Sequence, residues 1–419
     1  MSLTDTVSTA DLVARYAREF NAAYASEHAV TSPLGAWLLL AIAAPASLGD
    51  ARSRLEVVLG CGADDAARRA AVILGSGHPA VAAAAGVWAR AHFLTAEFAG
   101  YASGLPGEVE HGDVPTQGAA DRWAADHTGG MIREFPIAVT PETAVLLATA
   151  VATDVSWREP FQTAPATDLG GEFASSITNA LAATAGHRQF LADTTAAGRV
   201  AVHVAASTTG LSVVSVFAAP DVRPGEVHAA AHEVGALTAG IRSTATRVSL
   251  FDVPLDAGHA WSVTETVEQR LGGPERVETF DTLLPAWSAT GSHDVLAAAG
   301  FPELCETFSR FLLPEYLPAA FDAKQAAVAT YSRTGFKAAA VTAFGMRAGS
   351  AAPRSVTVTR RHAAVRFNRP YAAVAVASDT FVDDSHTTQR LDAQWAGLPV
   401  FSAWVARPDD TTTDAASAR

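Results

Sequence analysis

Few residues in this chain have both the type and the spacing for chemistry of their own. His228-Ala-Ala-Ala-His232-Glu233 sets two imidazoles four apart, the interval at which one face of a helix can hold a metal ion. The stretch lacks the second histidine of an HExxH site, and Pro224-Gly225 puts a turn beside it. No G-x-S-x-G elbow, phosphate-cradling loop or dinucleotide fingerprint occurs. Cys61 and Cys305 form neither a CxxC pair nor a zinc spacing and read as two buried thiols, with a single bridge between them as the alternative. Thirteen histidines and 43 carboxylates, scattered through a core-rich chain, need no catalytic role. The expectation is a protein that is not an enzyme and carries no metal or cofactor.

A different kind of chemistry lies in residues 335–353, a small-residue run with few turn formers. Read by alternation, one face carries Phe336, Ala338, Ala340, Thr342, Phe344, Met346, Ala348, Ser350 and Ala352. Lys337, Ala339, Val341, Ala343, Gly345, Arg347, Gly349 and Ala351 fall on the other, so both charges share a face. Such a segment can lie in a sheet with its uncharged face inward over its whole length. Its small side chains allow it to slide between two existing strands, and Pro353 stops it because proline cannot donate to a ladder. About 30 residues separate the strand-like runs Ala326–Tyr331 and Ala363–Phe367, long for a connection.

The elements around this segment follow from periodicity. Residues 9–28 have helical spacing, with Leu12, Val13, Tyr16, Phe20 and Tyr24 on one stripe. Thr31-Ser32-Pro33 caps a second helix, Leu34–Ala44, that is apolar all round and therefore central. Residues 50–75 and 118–134 read as amphipathic helices, and 143–157 as a strand inside a sheet. Val200–Val204, Leu211–Phe217, Ala245–Val253, Ala363–Val376 and Leu398–Val405 read as strands. Helices dominate the first third and strands the rest, which predicts an α+β fold. With no repeat and no Gly/Ser linker, residues 1–407 read as one domain and 408–419 as a disordered tail.

Composition excludes several classes. The 419 residues carry a formal charge of −13 without a Lys/Arg cluster, which argues against nucleic acid. The longest apolar stretch, Leu34–Ala46, includes Pro45 and is too short to span a bilayer. The N-terminus lacks a basic region followed by an apolar block, so no secretion signal is visible.

Six blocks, in order along the chain, resemble the serpin family. Ser32-Pro33-Leu34 looks like that family's helix B start. Trp123-Ala-Ala-Asp-His-Thr128-Gly-Gly130-Met-Ile132 resembles its W-V-x-x-x-T-x-G-x-I signature, and Trp157-Arg-Glu-Pro160-Phe161 its W-x-x-P-F. Ala326 to Ala340 is similar to the strand that leads into the reactive loop, Phe367-Asn-Arg-Pro370-Tyr371 to F-N-R-P-F, and Leu398 to Pro408 to the closing strand. The resemblance, to a divergent member of bacterial type, implies a serpin fold: three β-sheets, about nine helices and an exposed reactive-centre loop. It also implies a mechanism, in which a protease attacks the loop, forms an acyl-enzyme, and is dragged across the molecule as the cut loop inserts into the central sheet.

Carried onto this chain, the loop hinge is Gly335, Phe336, Lys337, Ala338, Ala339, Ala340, Val341 and Thr342. Phe336 stands where the family has a small residue and Arg333 where an acid is usual. A bulky side chain at the leading position slows insertion into a dense interior. The sheet-gating set is Ser32, Thr149, Trp157 and Gln325. Thr149 replaces Asn, Gln325 replaces His and Gly35 replaces Ser. Counting from the hinge puts the scissile region at Met346, Arg347, Ala348, Gly349 and Ser350; counting back from Phe367 puts it at Thr359, Arg360 and Arg361. The first is preferred, with the extra residues on the downstream side.

The expected partner is a serine protease, or a cysteine protease, of trypsin-like or elastase-like specificity. No nucleic-acid or membrane partner is expected. A monomer is expected, able to form loop-sheet polymers if an opened sheet accepts a neighbour's strand. The competing reading is a non-inhibitory binding or structural protein of the same fold with an impaired hinge. The compartment is cytoplasmic by the missing signal and extracellular by family role.

Overall fold

The computed structural model describes residues 7–23, 27–255, 260–336, 355–382 and 387–410. Among them are nine α-helices: α1 (Thr9–Ala22), α2 (Pro33–Ala43), α3 (Gly49–Leu59), α4 (Ala63–Ser76), α5 (Glu97–Ser103), α6 (Gln117–His127), α7 (Ala166–Leu169), α8 (Pro224–Ala239) and α9 (Phe301–Ser309). Ser8 caps α1 reciprocally with Asp11. Ser32 caps α2 through the Gly35 amide, and Pro33 sits in the first turn, as its spacing predicts. Leu34, Trp37, Leu38, Leu40 and Ala41 of α2 are fully buried, which makes this helix the centre of the main core.

Behind α2 stands a seven-stranded sheet. Its spatial order is β1 (Ala29–Thr31), β21 (Pro399–Val405), β18 (Tyr371–Ala377), β10 (Leu211–Phe217), β9 (Gly198–Ala206), β8 (Arg188–Thr194) and β11 (Thr246–Val248). Its Val/Ala-rich strands are buried on both faces because the main core covers one and α8 the other. A five-stranded sheet runs β12 (Trp261–Leu271), β17 (Ser355–Arg366), β13 (Arg276–Leu284), β7 (Asn179–Ala182) and β6 (Gln162–Pro165). A small ladder pairs β19 (Thr380–Val382) with β20 (Thr388–Arg390).

The remaining strands form a layer in two parts. One part is β3 (Val109–Gly112), β2 (Ala82–Ala89) and β4 (Val145–Ala152); the other is β14 (Trp287–Asp294) with β15 (Lys324–Tyr331). Among the described residues no ladder joins β4 to β15. A short antiparallel pair, β5 (Val155–Ser156) with β16 (Gly335–Phe336), follows the C-terminal ends of those two strands. Leu146 and Ala148 of β4 pack into a satellite core with Trp88 and the α6 residues Ala120 and Ala124. The Trp123 block earns its pattern here. Trp123 meets Trp88 edge-on at 5.3 Å, and the Thr128 hydroxyl donates to the Ala124 carbonyl and accepts from the Ile132 amide.

Several sequence expectations need correction. The helix expected over 9–28 ends at Ala22, and Ala29–Thr31 is a strand. The strand expected over 245–253 stops at Val248, where Ser249 accepts from the Phe251 amide and turns the chain into a 3₁₀ helix. The run 363–376 is two strands separated by Phe367–Pro370, since Pro370 has no amide to donate. Cys61 and Cys305 are free but only half-buried. Within the expected tail, Asp409 bonds back to the Ala286 carbonyl and Asp410 accepts from the Thr178 amide at 2.9 Å. Residues 411–419 lie outside the described set. No helix among the described residues is long and apolar enough to cross a membrane.

The histidine pair lies inside α8, with Pro224 in the helix's first turn rather than at a separate turn. Both rings are buried, and among the described residues no group of three potential ligands forms a metal site. His232 serves the core instead. The Thr31 hydroxyl donates to Asn21 Oδ1 at 2.8 Å, which leaves Asn21 Nδ2 to donate to His232 Nε2 at 3.2 Å. A ring that accepts there is neutral. Burial pushes His228 down to about 4 and His232 to about 3. The unfolded chain therefore binds these protons first, and stability falls as pH drops below about 6.5 towards 4. Each ring should remove about 1.4 kcal/mol per pH unit across that window. Thermal or urea unfolding between pH 7 and 4.5 measures the slope, and His228→Gln should reduce it by one ring's share.

Candidate functional site

The site is where the two parts of the central layer converge, and it starts at the N-terminus of α2. The Gln325 side chain of β15 grips Ser32 by both backbone groups. Its Oε1 accepts from the Ser32 amide and its Nε2 donates to the Ser32 carbonyl, each at 2.9 Å. The Ser32 hydroxyl accepts from the Gly35 amide at 3.1 Å and donates to the Val400 carbonyl at 2.9 Å. From the other side Thr149 of β4 donates its hydroxyl to the Gly35 carbonyl at 2.8 Å. A Cβ at Gly35 would lie 3.3 Å from the Ser32 hydroxyl and 3.4 Å from that of Thr149, so the absent side chain leaves room for this approach. β4 and β15 are thus both fastened to residues 32–35.

The upper end is built around Trp157. The Trp157 indole is buried and donates to the Ser332 carbonyl at 3.0 Å. The Trp157 amide donates to the Thr334 carbonyl and that of Phe161 to the Arg333 carbonyl. Ser332 reverses the chain. Its amide donates to the Gly335 carbonyl at 3.0 Å and its hydroxyl donates to the same oxygen at 2.9 Å. The chain leaving β15 therefore turns back, and Gly335 pairs with Ser156 and Phe336 with Val155 in antiparallel register.

Aromatic rings fill the space below. Tyr331 lies 5.1 Å from Trp157 and 5.7 Å from Phe161, and stacks on Trp287 at 5.8 Å. Phe161 covers a buried imidazole pair in which His203 Nε2 and His187 Nδ1 are 3.0 Å apart. His187 Nε2 lies 2.6 Å from the Glu159 carbonyl and so donates to it; Nδ1 then accepts from His203. Both rings are held neutral: burial lowers His187, and burial together with its neighbour His187 pushes His203 well below the ordinary range.

The fold of the chain has counterparts among known proteins. A family model described as Serpin (serine protease inhibitor) matches residues 7–174. The thermophilic serpin tengpin, solved in the native state, superposes with a TM-score of 0.60 at 14% identity, covering 94% of this chain and 93% of its own. The molecule has the serpin fold. Human thyroxine-binding globulin complexed with thyroxine matches the serpin fold of this chain at TM-score 0.59 and 12% identity, with 96% and 97% of the two chains covered. Serpin48 of the insect Tenebrio molitor matches at 0.58 and 12%, over 98% of this chain and all of its own. No curated protein matches the sequence. The likeness is therefore to a divergent serpin, carried by architecture far more than by residue identity.

Set in the serpin fold, the sequence-predicted residues fall into four groups. Ser32, Thr149 and Gln325 come together at α2, while Trp157 stands apart at the top, against Ser332 and Tyr331. Gly335 and the Phe336 backbone, expected at the loop hinge, are paired with β5. Lys337 to Thr342 and the scissile candidates Met346 to Ser350 lie outside the described residues. Thr359, Arg360 and Arg361 are a correction. They sit within β17, between β12 and β13, opposite Val267, Thr266 and Glu265 on one side and Arg276, Val277 and Glu278 on the other. A protease takes substrate as an extended strand through the same backbone groups that these two ladders occupy. Sequence reasoning missed Ser332, Tyr331, His187 and His203; a serine just before a glycine-ended turn was the available signal for the first.

The double grip of Gln325 makes a direct prediction. Gln325→Ala leaves the buried Ser32 amide without its partner and should cost about 1–3 kcal/mol of unfolding free energy. Urea titration of the uncut chain measures this, and an unchanged midpoint would remove Gln325 from the site.

Proposed function

We propose that this chain inhibits a serine-type endopeptidase as a suicide substrate. The supporting observation is the reversed β16, paired with β5 at the head of two strands, β4 and β15, that no ladder joins among the described residues. A strand continuing from Phe336 in that register would run antiparallel to β4 and complete a continuous sheet. The loop supplies the peptide bond. The protease serine attacks its carbonyl, an ester C–O bond forms, the amide C–N bond breaks, and the amine takes the proton. Insertion of the upstream half then carries the ester-bound protease away before water completes hydrolysis.

The residues of this chain provide bait and direction. Arg347 beside Met346 suits a trypsin-like pocket that holds an acid; the small residues around them suit an elastase-like one. Trp157 and Ser332 aim the hinge into the sheet. Gln325 and Thr149 hold the two inner strands to α2 rather than to each other, so parting the strands breaks no bond between those two side chains. One observation favours a second reading, a binding protein that is cut but does not trap. Phe336 is bulky at a leading position, and human thyroxine-binding globulin, described with thyroxine, has a similar fold.

Incubation with trypsin-like and elastase-like proteases separates the readings. Inhibition predicts an SDS-stable complex, its loss with trypsin-like enzymes in Arg347→Ala, and a higher melting temperature after a single loop cut. Cleaved chain with fully active protease across the panel supports the binding reading instead. Phe336→Thr should accelerate trapping roughly tenfold, in line with relief of overpacking; stopped-flow inhibition kinetics measure it.

A further inference from the structure

The two edges of the five-stranded sheet are finished differently. At one edge β6 is four residues long and ends in Pro165, which has no amide to offer a neighbour. At the other edge β12 runs for eleven residues in one unbroken register with β17, from Trp261 opposite Val365 to Leu271 opposite Ser355. Among the described residues no strand pairs with its outer side. Proteins blunt such edges with proline, lysine, bulges or short length. β12 contains no proline, glycine or lysine, and its ladder with β17 has no bulge.

Its carboxylates are already compensated within the chain. Glu265 pairs with Arg361 at 2.8 Å, Glu268 with Arg360 at 2.7 Å and Arg270 with Glu268 at 3.5 Å. Neither glutamate is left unpaired to repel a second strand. Val267, between the two glutamates, is 64% exposed. β13 joins β17 only from Thr359, so residues 268–271 belong to a ribbon of two strands that runs past the first residue of β13.

The residue order of β12 says what fits its edge. Directly opposed pairs in an antiparallel ladder alternate between two hydrogen-bonding types. Two copies related by a two-fold axis must therefore set one residue opposite itself, because any other offset gives symmetry-equivalent pairs different types. Centring on Glu265, Glu268 or Arg270 opposes like charges. Centring on Thr264, Thr266 or Val267 sets each charged residue it pairs against an uncharged one. Centring on Gln269 sets Glu268 opposite Arg270 twice, and Val267 opposite Leu271 twice. Val267-Glu-Gln-Arg-Leu271 is its own complement read backwards: apolar, acid, amide, base, apolar. Within β12 no other two-fold register brings unlike charges together.

We propose that the outer edge of β12 is a self-association surface that takes a second copy of this chain as an antiparallel strand centred on Gln269. The two five-stranded sheets then form one continuous sheet across the axis. Opposite charges and apolar residues facing each other across such a ladder stabilise it, and like charges weaken it. Five residues a side make a small contact, so the dimer is weak. Its two-fold symmetry closes it at two copies, unlike a polymer, which grows. The inference does not depend on the proposed inhibition.

Sedimentation velocity of the uncut full chain, from micromolar to millimolar concentration, is the first test. A monomer–dimer equilibrium without larger species is expected, and added salt should weaken it. Glu268→Arg or Arg270→Glu alone should weaken the dimer roughly tenfold, because each change acts twice across the axis. Combining the two should restore most of the loss. Independently, Gln269→Cys should be captured as a covalent dimer by a short bismaleimide, while Thr264→Cys and the parent, with its own Cys61 and Cys305, are not. A monomer at every concentration with no cross-link from Gln269→Cys overturns the proposal. Equal association of the parent and the single-swap variants overturns the register, and assemblies that keep growing overturn the two-fold closure. A monomer whose β12 amides gain protection from hydrogen exchange only when protease is added assigns the edge to the protease and overturns the second copy.

Discussion

The molecule is organised around a central layer whose two inner strands share no ladder among the described residues. Backbone amides and carbonyls inside a protein need partners, yet among the described residues β4 bonds along β2 and β15 along β14, with no ladder between the two inner strands. Both are kept in place from outside the sheet. Gln325 and Thr149 fasten them to the first turn of α2, a helix whose own burial makes it a rigid base. In the proposed mechanism, a layer held in this way takes in another strand while keeping its attachment to the core.

The upper end converts that property into direction. Four hydrogen bonds around Ser332, Thr334 and Gly335, together with the Trp157 indole, reverse the chain within a few residues. The reversal sets Gly335 and Phe336 antiparallel to β5, the sense that the proposed insertion would need. The surrounding rings of Trp157, Phe161, Tyr331 and Trp287 make the support dense, and the neutral His187–His203 pair beneath keeps charge out of it. A protonated imidazole there would place an uncompensated cation under the turn.

The two ends of the loop are treated differently by the fold. Upstream, two residues, Gly335 and Phe336, pair with β5. Downstream, β17 pairs with β12 over Ser355–Val365 and with β13 over Thr359–Arg366. The surplus of residues between Gly335 and Phe367, which the sequence shows as an overlong connection, is largely absorbed by this strand.

Local patterns in the chain specified much of this. The caps of α1 and α2, the central position of α2, strands such as Leu211–Phe217, and the Trp123 and Trp157 blocks are legible because each depends on nearby residues and on burial periodicity. The gating residues were named by resemblance, but their geometry was not: Gln325 and Ser32 are 293 residues apart, and no pattern at either position announces a two-point amide grip. The site of β17 was equally hidden. Alternation marks Ser355–Arg366 as strand-forming at best, and Arg360 and Arg361 look like exposed, cleavable loop residues until two distant strands close on them. Propensity and periodicity act over a few residues and determine what each segment can become. Which edges meet, and which stay unmet, depends on pairings between segments far apart in the chain, and only the folded structure decides them.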